Sequence, residues 1–141
     1  MHWIKRRRGF SLIEMLLVLV IIAVLSGIAI PSFMGQRRRA RVIGDAMSNS
    51  KVLQMGLESY KADTGVYGSV TGYDWTANGT ATTGPALIPT FQPSGNSVMN
   101  YHLDVVNSGL AYTITVTYPA MYGTATVYQT NQLGQQLARL Q

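Results

Sequence analysis

Glu14 is the only charged side chain among residues 10–30. A carboxylate carried into hydrocarbon costs about 2.5–3.5 kcal/mol on insertion scales, so an acid in such a run calls for a partner or a task. Other groups with chemical potential are sparse. His102 stands two residues before Asp104, and alternate positions of a strand share a face, which makes a surface pair. A lone histidine beside one carboxylate is only half of an acid–base arrangement. His2 lies in the basic N-terminal stretch. No serine has a histidine at motif spacing, and no glycine-rich phosphate loop is present. The chain has no cysteine, which excludes thiol catalysis, cysteine-bound zinc and iron–sulfur clusters. No catalytic residue, cofactor or metal ligand is assigned, and the chain reads as a non-enzyme.

The element that must position Glu14 is a helix. Residues 10–30 would form a rod roughly 31 Å long, the thickness of a bilayer core. Lys5, Arg6, Arg7 and Arg8 precede it and Pro31 follows it. Three readings fit. One is a secretory signal peptide leaving at Gly27-Ile28-Ala29, although the run exceeds the usual apolar region of about 7–15 residues and contains an acid. Another is a plain anchor whose Glu14 snorkels to the interface. The third is a resemblance: Arg8-Gly9-Phe10-Ser11-Leu12-Ile13-Glu14 resembles the processing site of type IV prepilins and the related pseudopilins.

That resemblance implies cleavage between Gly9 and Phe10 by a prepilin peptidase, with N-methylation of Phe10. It also implies storage of the subunit in the inner membrane and polymerisation with other copies through the N-terminal helix, at an assembly platform in that membrane. The new amine at Phe10 would be largely cationic at neutral pH. In the family it is paired by the Glu of a neighbouring subunit, which assigns Glu14; the i, i+4 spacing also lets Phe10 and Glu14 meet within one chain. Pro31 matches a proline where the family's helix can extend during packing, so Phe10, Glu14 and Pro31 are the expected assembly residues. The expected product is an extracellular type IV pilus for adhesion, twitching motility or DNA uptake. The alternatives are a major pseudopilin of a type II secretion system, or a minor pilin that captures DNA or a surface.

Net charge is +5, but its distribution argues against a basic head. Four of the eleven basic residues lie in the leader, and Arg37, Arg38, Arg39 and Arg41 lie just beyond the apolar run. The remainder of the chain holds Lys51, Lys61 and Arg139 against Asp45, Glu58, Asp63, Asp74 and Asp104. Because basic residues flank both ends of the span, charge alone leaves its orientation near a tie. The arginine cluster suits lipid phosphates at the outer interface, or a polyanion such as DNA along a fibre.

Beyond Pro31, where a kink or local break is expected, Ile43, Met47, Ser50, Leu53, Leu57 and Tyr60 recur at helical spacing. Gly65 is placed to terminate that helix. The segment from Tyr60 to Tyr67 resembles the helix exit of pilins, with Tyr60 and Tyr67 covering the last turn and Asp63 bonding loop amides. A long stretch rich in Gly, Thr and Ser comes next, read as a surface loop pinned by Tyr73, Trp75 and Phe91. Asn78-Gly79-Thr80 fits a glycosylation sequon. Strands are expected at 101–106, 112–118 and 124–128, with turns at 107–109 and 119–123; Leu133, Leu137 and Leu140 fit a short helix or an edge segment.

The expected fold is α+β: a long N-terminal helix, kinked near Pro31, packed against a small antiparallel sheet of three or four strands. Its parts are a leader (1–9), a membrane or filament-core half-helix (10–30), an outer half-helix (31–65), a surface loop (66–98) and the sheet with the C-terminal segment (99–141). Major pseudopilins often carry calcium in a C-terminal loop, which needs clustered carboxylates. No acid follows Asp104, and this counts against both the calcium and the pseudopilin reading.

Overall fold

The computed structural model describes residues 9–69, 72–77, 80 and 87–140. The leader before Gly9 and the Asn78-Gly79 part of the sequon lie outside them. The chain divides into two compact units, Met1–Arg38 and Arg39–Gln141. One helix, α1 (Leu12–Thr64), contributes to both. Its start is written locally. Ser11 offers its carbonyl to the Met15 amide at 3.2 Å, and its own N–H donates to Glu14 Oε2 at 2.8 Å. Its end is equally local: Gly65 takes φ +85°, and its N–H donates to the Lys61 carbonyl at 2.7 Å. That is a left-handed cap, which a residue with a Cβ enters only at a cost of about 1–2 kcal/mol.

In the first unit, α1 keeps its apolar side chains in the open. Its most apolar window of 18 residues has mean hydropathy 2.8 and none of it is buried, so the helix is long and apolar enough to cross a membrane. Helical geometry continues through Pro31; of the two expected outcomes there, the break does not occur. The proline still lacks the N–H that would have reached the Gly27 carbonyl, and the helix on either side carries that loss.

In the second unit, α1 packs on a five-stranded antiparallel sheet in the order β1-β2-β3-β4-β5. The strands are β1 (Tyr73–Trp75), β2 (Asn100–Val106), β3 (Ala111–Thr117), β4 (Thr126–Asn131) and β5 (Gln136–Arg139). Alternation sets the inward face: Tyr101, Leu103 and Val105 from β2 join Tyr112, Ile114 and Val116 from β3. The expected alternation in β3 is therefore present, except that Tyr118 falls just outside it and is only partly buried. The helix answers with Val42, Ile43, Ala46, Leu53 and Leu57 in the same core.

Several expectations need correction. Of the expected stripe on α1, Ile43, Ser50, Leu53 and Leu57 are buried, but Met47 is exposed and Tyr60 only half-buried, and the inward face also takes in Ala46 and the polar Asn49 and Gln54. Asp63 is exposed and makes no hydrogen bond among the described residues. The Thr64 hydroxyl instead donates to the Tyr60 and Val66 carbonyls. The sheet has five strands rather than three or four, since β1 forms inside the segment read as loop and the C-terminal segment pairs as an edge strand. The 119–123 turn contains a short helix, α2 (Pro119–Tyr122), and β4 begins two residues later than expected. Trp75 and Phe91 do pin the segment after the helix: they meet edge-to-face at 5.9 Å, and both are buried.

Candidate processing and assembly site

Gly9 and Phe10 lie exposed just before α1. A Cβ built on Gly9 meets nothing within 4 Å, and its φ lies outside the left-handed range. Among the described residues, then, nothing in the folded chain requires glycine at position 9. Phe10 has no packing partner to hide it and is 74% exposed. One turn on, Glu14 occupies the third helical position and Ser11 the cap, so together they form half of a capping box. The sequence signal for this is Ser11-Leu12-Ile13-Glu14, the S-x-x-E spacing, set within an apolar run. With Oε2 bonded to Ser11, the carboxylate keeps Oε1 and spare lone pairs for a cation. Gly9, Phe10 and Glu14 are thus gathered at one helix end. Pro31 lies seventeen residues further along, roughly 26 Å at helical rise.

Past the apolar stretch, Arg37, Arg38, Arg39 and Arg41 are exposed. The Arg37 guanidinium sits over the Phe33 ring, 5.5 Å from its centroid.

The head is stitched by buried polar groups that periodicity did not reveal. Asn49 is 1% exposed. Its Nδ2 donates to the Ser94 carbonyl at 2.9 Å and to the Tyr101 hydroxyl at 2.8 Å. Its Oδ1 accepts from the Ser94 N–H at 2.8 Å. Burial pushes the Tyr101 hydroxyl up to about 12, against the lowering effect of the Asn49 bond. Gln54 donates to the Asn131 carbonyl at 2.8 Å, fastening α1 to β4. At the helix exit the Tyr67 hydroxyl donates to Glu58 at 2.8 Å, and Lys61 stands 4.3 Å from the ring centroid. Burial, then the Glu58 bond, raise the Tyr67 pKa.

His102 and Asp104 are brought together as expected, at 3.0 Å, but they are not alone. Asp74 on β1 reaches the other ring nitrogen at 2.5 Å. The sequence carries no local signal for that partner, because it comes through strand register: Asp74 stands opposite His102. No group of three or more His, Asp or Glu placed to hold a metal ion occurs among the described residues.

Comparison with known proteins bears on the helix end. Residues 4–30 match the family model for the prokaryotic N-terminal methylation motif, a span containing Gly9, Phe10 and Glu14. The start of the chain carries the prokaryotic N-terminal methylation motif. Among curated relatives, the type II secretion system core protein G of Dickeya chrysanthemi is 36% identical over 63 residues, 45% of this chain and 40% of that protein. The protein of the same name in Escherichia coli is 37% identical over 62 residues, 44% of this chain and 42% of that protein. The type IV wide pilus major component of Thermus thermophilus is 32% identical over 65 residues, 42% of this chain and 50% of that protein. The chain spans about half the length, or less, of the curated relatives it matches. No solved structure matches it.

Proposed function

We propose that this chain is a structural filament subunit, stored in a membrane as a precursor, cut between Gly9 and Phe10, methylated at Phe10 and polymerised through α1. The observation that carries this reading is the helix itself. A run of apolar side chains with no described partner stands exposed on the isolated subunit, with a single acid one turn from its start. Such a surface suits lipid, or a bundle of other copies of the same helix. Glu14 suits both, since its carboxylate caps its own helix and retains an oxygen for a neighbour's Phe10 amine. The prepilin peptidase and an inner-membrane assembly platform are the partners this implies, and the chain acts without catalysis.

Between the two members of the family, we infer a pseudopilin of a type II secretion system rather than the pilus subunit that the sequence alone put first. The matched relatives are for the most part secretion core proteins, with a pilus component among them. On this reading the filament works at the cell envelope, while the pilus reading places it at the cell surface. Deletion and restoration of the gene separates the two. Loss of secreted enzymes with surface fibres unchanged supports the pseudopilus; loss of fibres with secretion intact returns the pilus reading.

Processing has its own test. Gly9→Ala puts a methyl group where the folded chain has no use for glycine, so any defect must arise in the peptidase. The full-length precursor should accumulate in the membrane. A Gly9→Ala chain that matures at the normal rate, with Phe10 as its first residue, would refute the assignment of this junction.

A further inference from the structure

His102 is bonded at both ring nitrogens. Nδ1 lies 2.5 Å from Asp74 Oδ1 on β1, and Nε2 lies 3.0 Å from Asp104 Oδ1 on its own strand. An ionised carboxylate only accepts, so each nitrogen must donate, and an imidazole with two N–H groups is the cation. The neutral ring has one N–H. In either tautomer it turns a lone pair toward one of the two carboxylates. We propose that protonated His102 is a pH-dependent clamp that fastens β1, and the segment β1 leads into, to the rest of the sheet.

β1 is well suited to such control. It is three residues long and, among the described strands, lies at the sheet edge with β2 as its single neighbour. It delivers Trp75 to the core, and the chain beyond it supplies Ile88 and Phe91 to the same cluster. The backbone entering β1 passes close to the imidazole: a Cβ at Gly72 would stand 2.8 Å from His102 Cε1. The ring therefore leaves no room for a side chain at Gly72, where the chain enters β1.

The charges around the ring set the sign. Across β3, His102 faces Thr115 and Asp104 faces Thr113, both uncharged, and Gln129 on β4 donates to the Thr115 hydroxyl. Among the described residues, Asp74 from β1 and Asp104 from β2 are the charged groups against it. Burial lowers the ring's proton affinity, but the bonds to Asp74 and Asp104 outweigh it and the pKa is raised. A raised folded value means the clamp is complete below the ordinary histidine pKa of about 6.5 and is lost as pH rises through the higher folded value. The side chains are 41% to 54% exposed. Solvent screening therefore holds the effect to about two- to fivefold in the opening equilibrium of β1.

Hydrogen exchange of the full chain in detergent micelles, read by mass spectrometry and corrected for the intrinsic rate at each pH, measures that opening. Protection of the peptide containing Tyr73, Asp74 and Trp75 should be about two- to fivefold lower at about pH 9 than at about pH 6, with β3 peptides unchanged. His102→Gln should remove the difference. Equal protection at both pH values in the wild type overturns the proposal, as does the same pH step in His102→Gln. Where that variant does not fold, Asp104→Asn takes its place: it keeps an acceptor beside Nε2 without the charge. It should shrink the step, and an undiminished step overturns the clamp.

Discussion

At the scale of single residues, Glu14 holds two roles that different substitutions separate. As the acid of a capping box it needs only an acceptor, which glutamine also supplies. As the counter-ion of a neighbour's amine it needs its charge. Glu14→Ala removes both and leaves insertion intact or slightly favoured. Glu14→Gln keeps the cap and removes the charge. If charge pairing drives assembly, filament yield from Glu14→Gln should fall nearly as far as from Glu14→Ala, while processed subunit persists in the membrane. Loss of one partner of a buried pair costs about 3–5 kcal/mol, ample to shift a polymerisation equilibrium. Normal fibres from Glu14→Gln would leave Glu14 as a cap, with helix packing alone driving assembly.

Asn49 is the other residue on which much rests. It joins α1 to Ser94 and to Tyr101. Asn49→Ala leaves buried partners unsatisfied and should destabilise the head by about 2–3 kcal/mol. Near-ultraviolet circular dichroism during denaturant titration of the full chain in detergent reads this, since it follows aromatic packing rather than the anchor helix. An unchanged midpoint would mean that those bonds contribute nothing net.

At the scale of elements, legibility followed the range of the causes. The N-terminal span, β2, β3 and the Gly65 stop are written in neighbouring residues: apolar length, alternation, one glycine at the helix end. All of these are readable in the sequence. β1 is not, because three residues in a Gly- and Thr-rich run become a strand only when Leu103, His102 and Tyr101 stand opposite them. The inward face of α1 is legible only in part, through Ile43, Ser50, Leu53 and Leu57, for a related reason. Periodicity counts apolar side chains, whereas this face accepts Asn49 and Gln54, whose partners lie 45 and 76–77 residues away in sequence. Glu14 stands out in the sequence at the correct end of the helix, but its bond to Ser11 is masked by the apolar residues around it. β1 should prove the weak element of the sheet. Trp75→Ala removes a fully buried indole and should cost about 3–5 kcal/mol, with exchange in the β1 and 87–99 peptides rising first.

At the scale of the whole molecule, the chain differs from a calcium-bearing pseudopilin in where its acids lie. None follows Asp104, so the C-terminal strands are held by pairing, by the Gln54 bond to β4 and by the Leu140 amide, which donates to the Val127 carbonyl at 2.9 Å. Millimolar calcium should leave the melting temperature within about 1 °C of its value in chelator. A ligand at a hundred times its Kd stabilises by about 2.7 kcal/mol, which in a domain of this size is a shift of about 10 °C or more. A rise of that order would place a cation site in the head.

The strand order has a temporal consequence. Each strand of the sheet pairs with the one before it and the one after it in the chain, from β1 through β5. From β2 onward, a polypeptide that emerges N-terminus first, from a ribosome or through a membrane, therefore never has to hold a strand in waiting for a distant partner. Every hairpin closes on a neighbour already delivered, and low sequence separation makes that closure fast. Among the described strands, the long wait is that of β1 for β2, which residues 76–99 separate. During that interval the first strand has no sheet to join, so the head completes itself from β2 onward and seats β1 once its partner has arrived.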